Sequence, residues 1–173
     1  MVLHFIKICY IAEKNKLQGL NMTSKCRRHE RCIEDAIQQA QIVCDESNSR
    51  FTTLRKRVLE LVWANHEPAK AYDLLSELQK VDESAKPSTI YRTLDFLLEL
   101  GLVHKIHRQN AFVGCINPKE ERPGFFLVCN NCNEVSEKHD EEYYKLIKNI
   151  SKKHQFKLKD SSFEIEGLCN KCI

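Results

Sequence analysis

Between residues 33 and 100 the apolar positions recur at helical spacing. Ile33, Ala36, Ile37, Ala40, Val43 and Cys44 fall at i, i+3, i+4, i+7, i+10 and i+11, the stripe of an amphipathic helix that Ser47-Asn48-Ser49 ends. Thr52 or Thr53 offers the N-cap of a second helix, with its buried stripe predicted at Leu54, Val58, Leu61 and Val62. Glu67-Pro68 breaks that helix, and a short third one carries Tyr72 near its start and Leu74, Leu75 and Leu78 inside. Lys86-Pro87-Ser88-Thr89 signals a fourth helix over Ser88–Leu100, with Gly101 as its stop. Ile90, Leu94, Leu97 and Leu98 share one face of it; Ser88, Thr89 and Arg92 project from the other, with Tyr91 on the border. Two β-like runs follow, residues 102–107 and 111–116, joined by the turn-like Arg108-Gln109-Asn110. Helices followed by a polar-faced helix and a hairpin make the order of a winged helix-turn-helix. The same order suits a small helical domain with no nucleic-acid role, and the pattern alone leaves both open.

Beyond residue 116 the period changes. Residues 117–124, with Pro118 and Pro123 among four charges, read as a hinge. Strands are predicted over Phe125–Cys129 and Glu134–Glu137, then a helix over Glu141–His154 and a last strand over Phe156–Ile165. This unit of residues 125–173 is too small to hold together without a staple. Cys129-Asn-Asn-Cys132 and Cys169-Asn-Lys-Cys172, with 36 residues between the pairs (133–168), supply one. Each pair can set two thiolates about 4 Å apart, and two pairs complete a tetrahedral all-sulfur shell at Zn–S distances of about 2.3 Å. A thioredoxin-like redox motif needs one pair in a βαβ context, and disulfide frameworks belong to small secreted domains, so neither fits as well. Asn133 stands where such knuckles often carry glycine, and asparagine tolerates the left-handed backbone required there.

Composition changes this picture little. A 42% hydrophobic and 29% charged chain is ordinary globular material, which argues against disorder. Nine cysteines without an export signal point to a reducing, cytoplasmic compartment. The opening MVLHFIKICYIAEK is interrupted by His4 and Lys7 and is too short to span a bilayer, so no membrane role is expected. Residues 1–21 read as an extension or a misplaced start. Charge is informative locally: Arg50, Arg55, Lys56 and Arg57 lie in one run without an anion, and Lys25, Arg27, Arg28 and Arg31 form a second cluster. Such runs are solvated surface or, in a nucleic-acid binder, the phosphate footprint. No phosphate-binding glycine loop, His-Glu-x-x-His or nucleophile–base pair is present to suggest an enzyme or a small-molecule substrate.

Arg50-Phe-Thr-Thr-Leu-Arg55, Ala71-Tyr72-Asp73-Leu74-Leu75, Lys86-Pro-Ser-Thr-Ile-Tyr-Arg92 and Gly101-Leu-Val-His104, together with the two cysteine pairs, resemble the ferric-uptake-regulator superfamily over roughly residues 30–172. Within it the chain is most similar to the zinc-uptake-regulator branch. The resemblance implies an α+β fold with a winged-helix DNA-binding domain at 22–116, a hinge at 117–124 and a zinc-stapled dimerisation domain at 125–173. It implies a homodimeric repressor that binds a double-stranded DNA operator when zinc fills a second, regulatory site. Tyr91 and Arg92 would then meet bases, and Arg50 and Tyr72 would contact DNA from the flanks. His104, Cys115 and Glu137 match three of the branch's four sensing ligands, and imidazole, thiolate and carboxylate together suit zinc better than iron. The branch's remaining histidine, before the first knuckle, is absent, leaving Glu120, Glu121, His107, His139 or a water for its place. The iron and peroxide branches carry a His-rich stretch where this chain has Lys119-Glu-Glu-Arg-Pro-Gly-Phe-Phe, so an iron, manganese or peroxide sensor ranks lower. A zinc-stapled nucleic-acid scaffold without sensing is the other alternative. Cys26, His29 and Cys32 have metal-like spacing but read as free groups near a frayed terminus, and Cys44 as core.

Overall fold

The structure is a computed structural model that describes residues 29–65, 67–118, 124–158 and 163–173. The predicted extension at 1–21, Cys26, the basic residues Lys25, Arg27 and Arg28, most of the hinge, and Glu120 and Glu121 lie outside the described residues.

Helix α1 (His29–Glu46) carries the first apolar stripe, with Ala40 and Cys44 fully buried. It stops where the Ser47 hydroxyl donates to the Val43 carbonyl at 2.8 Å and Asn48 turns left-handed at φ 53°. Helix α2 (Thr53–Trp63) starts on the Thr52 cap, whose hydroxyl accepts from the Arg55 N–H at 3.4 Å. Its buried face is wider than the predicted stripe. Val58 and Val62 are buried as expected, Leu54 and Leu61 only partly, and Leu59 and Trp63 complete the face. The reason is tertiary: α2 packs against four other elements, so more than one stripe loses water. Strand β1 (Ala69–Lys70), which no periodicity announces, runs directly into helix α3 (Ala71–Gln79).

Helix α4 (Pro87–Glu99) has proline at its entrance and ends in a Schellman motif. The Leu102 N–H reaches the Leu97 carbonyl at 2.9 Å and the Gly101 N–H reaches Leu98 at 3.0 Å, with Gly101 at φ 65°. Glycine carries that left-handed turn without the clash a side chain would bring. Strands β2 (Val103–Ile106) and β3 (Ala111–Gly114) form the hairpin, and β1 pairs with β3 to give a sheet ordered β1-β3-β2.

The second sheet is ordered β5-β4-β6, from β4 (Phe125–Cys129), β5 (Val135–Lys138) and β6 (Phe163–Gly167). β5 pairs antiparallel with β4, and β6 pairs parallel to it after helix α5 (Glu141–Lys153). The last strand begins later than predicted because Phe156 belongs to the helix end. Its N–H caps Ser151 at 2.8 Å while Gln155 turns left-handed at φ 52°, and the Phe156 ring is left exposed.

Strand register sorts the side chains onto faces. In the hairpin, Val103 and Phe112 turn toward the helical core, while His104, Ile106, Val113 and Cys115 alternate onto the opposite face. In the second sheet, Phe126 lies between Glu137 on one neighbour and Glu164 on the other, and Val128 between Val135 and Glu166. These two faces meet. Ile106, Val113, Phe126, Val128 and Val135 form one buried cluster between the hairpin and the second sheet, polar groups flanking it on both sides.

Candidate metal centres and nucleic-acid interface

The cysteine pairs converge. The Sγ atoms of Cys129, Cys132, Cys169 and Cys172 lie within 4.8 Å of one another, with Cys132 and Cys169 3.6 Å apart. Zn–S bonds of about 2.3 Å at tetrahedral angles set sulfurs about 3.8 Å apart, whereas a disulfide requires about 2.05 Å. The backbone builds the site. Asn133, at φ 59°, folds the first knuckle so that its N–H reaches the Cys129 carbonyl at 3.0 Å. The Ile173 N–H makes the matching bond to the Cys169 carbonyl at 3.2 Å, and the Asn130 N–H donates to the Gly167 carbonyl at 2.7 Å, drawing the two knuckles together. Hydrogen bonds from the backbone at Cys132 and Cys169 bring the Cys129 thiol down to about 6. Cys132 gains from the Glu134 backbone but loses against the Cys129 thiolate, burial and the other two cysteines, and is pushed up to about 12.

The second cluster joins the two sheets. His104 on β2 and Cys115 after β3 face Glu137 on β5, and a donor atom from each lies within 4.8 Å of the other two. The Cys115 N–H, bonded to the Leu102 carbonyl at 3.0 Å, extends the hairpin pairing and fixes the thiol's face. The His104 ring packs on Phe126 with centroids 5.3 Å apart, and its Nε2 stands 3.6 Å from Glu137 Oε1. The Glu137 side chain is only 3% exposed, and its Oε2 is buried with no hydrogen-bond partner among the described residues. A carboxylate so placed is costly unless a positive charge compensates it. An imidazole, a thiol and a carboxylate that converge in this way fit a borderline-soft cation such as zinc.

The other residues singled out in the sequence divide clearly. His107 belongs to the hairpin turn, where its backbone N–H donates to Glu164 Oε1 at 2.6 Å, and it is not in the His104 cluster. His139 follows β5 and brings its Nε2 within 3.3 Å of Glu137 Oε1. Tyr91 is 52% exposed and Tyr72 77%, and Arg92 and Arg50 are exposed, so all four side chains expected to meet DNA face solvent. The basic run is partly spoken for. Arg55 lays its guanidinium over Phe96, 3.3 Å from the ring centroid, and bonds the Arg50 carbonyl, while Arg57 pairs with Glu60 at 3.2 Å. Cys32 is half-buried against the helical core, and Cys44 is core.

Sequence reasoning missed the clamp at the other edge of the shared cluster. Glu164 accepts the N–H groups of His107 and Arg108 at 2.6 and 3.2 Å, and Arg108 Nη1 meets Glu166 Oε2 at 2.6 Å. The alternation in Phe163-Glu-Ile-Glu166 put both acids on one face, but nothing local named their partner.

Comparison with known proteins supplies the lineage. The ferric uptake regulator family model matches residues 46–166. The zinc uptake regulation protein of Escherichia coli (strain K12) is 34% identical over 141 residues, covering 81% of this chain and 82% of that protein. The ferric uptake regulation protein of Bacillus subtilis (strain 168) is 26% identical over 144 residues, 81% of this chain and 96% of its own. Among solved structures, a zinc uptake regulator complexed with zinc and DNA superposes with a TM-score of 0.73 at 34% identity, over 80% of this chain and 93% of that one. The holo form of XcZur follows at 0.69 and 34%, over 78% and 94%. With its family model matched over most of its length and its fold shared with solved relatives, the chain belongs to the ferric uptake regulator family, whose members are transcriptional regulators rather than enzymes.

Proposed function

We propose that this protein is a zinc-responsive, DNA-binding repressor of zinc-uptake genes that works in the cytoplasm as a homodimer. The observation that carries the reading is the convergence of His104 and Cys115 from the hairpin with Glu137 from the second sheet. A cation held by all three ties the wing to the unit that sets the spacing of the two DNA-binding halves. The 34% identity to zinc uptake regulation protein, and to a regulator bound to zinc and DNA, supports both the metal and the partner.

Residues 22–116 act as the DNA-binding domain, 117–124 as hinge and 125–173 as dimerisation domain. Cys129, Cys132, Cys169 and Cys172 hold a structural zinc that staples the last of these, and four converging thiols with no hard donor favour that ion. On the recognition helix α4, Ile90, Leu94 and Leu97 are buried, which leaves Tyr91 and Arg92 for base edges. An arginine bonded bidentately to guanine discriminates by about 1–3 kcal/mol. Tyr72 and Arg50 contact the flanks. The dimer follows from apolar surface left uncovered. Tyr143, Leu146 and Ile150 share one face of α5, and the Tyr143 ring packs on Phe125 and Phe163 of the sheet. Leu146, Ile150, Leu127 and Ile165 remain exposed, and a second copy would bury them.

Because two bound halves must meet two half-sites at one spacing, fixing their angle removes a conformational cost of DNA binding. Coupling of about 1–3 kcal/mol, a factor of about 5–150, makes a working switch. A mobility-shift titration on an operator-like duplex, with zinc, iron and chelator compared, tests this. Zinc beyond one equivalent per protomer is expected to tighten binding by that factor, and iron is not. Equal affinity with and without the second equivalent would leave a stapled scaffold and no sensor.

A further inference from the structure

We infer that His139 completes the metal site formed by His104, Cys115 and Glu137, as its fourth protein ligand. The inference rests on the sensing role proposed for those three residues and adds one that their family pattern does not predict. Strand geometry brings His139 to the right face. His139 directly follows the last residue of β5, two places after Glu137, and its Nε2 lies on the side of that carboxylate. The distances fit a shared cation better than hydrogen bonds. Nε2 of His139 lies 3.3 Å from Glu137 Oε1 and Nε2 of His104 lies 3.6 Å from the same oxygen. Good N–H···O bonds run at about 2.7–3.2 Å. Two ligand atoms each about 2.1 Å from a tetrahedral zinc stand about 3.4 Å apart.

The strand opposite makes room. Continuing the β4–β5 register places Gly124 across from His139, and a Cβ at Gly124 would come within 3.0 Å of the His139 ring. The three donors mutually within 4.8 Å do not include His139. Its ring, 33% exposed, must therefore turn about its own side-chain bonds toward the other donors when metal enters.

The test is a cobalt(II) and zinc titration of the full-length protein with the four-cysteine site already loaded. In the wild-type protein the second equivalent of cobalt should give the absorption of a tetrahedral centre with one thiolate. His139→Ala should weaken binding of that equivalent by at least about tenfold and change the band pattern, with the first equivalent and the helical content unchanged. His139→Asp, which keeps a ligating group, should retain tight stoichiometric binding with a shifted spectrum. Wild-type affinity and spectrum in His139→Ala, while Cys115→Ser loses the second equivalent, would overturn the role of His139 and leave the three-residue site intact. No second equivalent in the wild-type protein would remove the sensing site itself, and His139 with it.

Discussion

Gly114 lies where the Trp63 indole crosses the hairpin, and a Cβ there would overlap the indole ring. Gly114→Ala is expected to lower stability by about 1–3 kcal/mol, read from the urea midpoint, because neither the buried strand nor the indole can yield freely. Cys129 gives a prediction in pH. Hydrogen bonds from the backbone at Cys132 and Cys169 hold its folded value near 6, below the ordinary 9.0. Its thiolate therefore adds stability that is complete above 9.0 and lost as pH falls through about 6. Thermal melts of chelated protein should drop over that interval, and Cys129→Ser should flatten the slope. The converging cysteines were legible in the sequence because each knuckle is a local spacing. His139 stayed one of several candidates because its nearness to His104 and Cys115 depends on which side of the second sheet turns toward the hairpin.

Among the elements, the hairpin is the one with two jobs. One face completes the helical core through Val103 and Phe112, and the other meets the second sheet through Ile106 and Val113. The cluster of His104, Cys115 and Glu137 lies along one edge of that contact, and the clamp of Glu164 and Glu166 along the other. Glu164→Ala removes the acceptor of two backbone N–H groups, and hydrogen bonds to a charged acceptor contribute about 1.5–3 kcal/mol each when sheltered. Solvent at this turn reduces that to about 1 kcal/mol in all. The amides of His107 and Arg108 should then exchange about fivefold faster by hydrogen–deuterium exchange, with those of α2 unchanged. Unaltered exchange would mean that the turn is held by its own hairpin. The four helices of the first unit were readable because a 3.6-residue period persists over two or more turns. β1, two residues long, has no period to read, and Phe156 looked like strand because its apolar ring resembles a core residue.

For the whole molecule, the exposed apolar side of α5 carries the next expectation. Leu146→Asp places a charge where a second copy is proposed to pack, and light scattering should report monomers that retain structural zinc and helical content. A persistent dimer would move the interface elsewhere. Among the described residues no helix is long and apolar enough to cross a membrane. The sequence by itself determined the helices, the hairpin, the two knuckles and the family, because each is written in spacings of a few residues. Only the tertiary structure decided which surfaces meet. The approach of β5 to the wing brings together His104 and Glu137, 33 places apart, and the clamp from β6 brings together residues 56 to 58 places apart. Strand alternation assigns such residues to a face, and packing of the Ile106–Val113 side against Phe126 and Val128 chooses what that face touches.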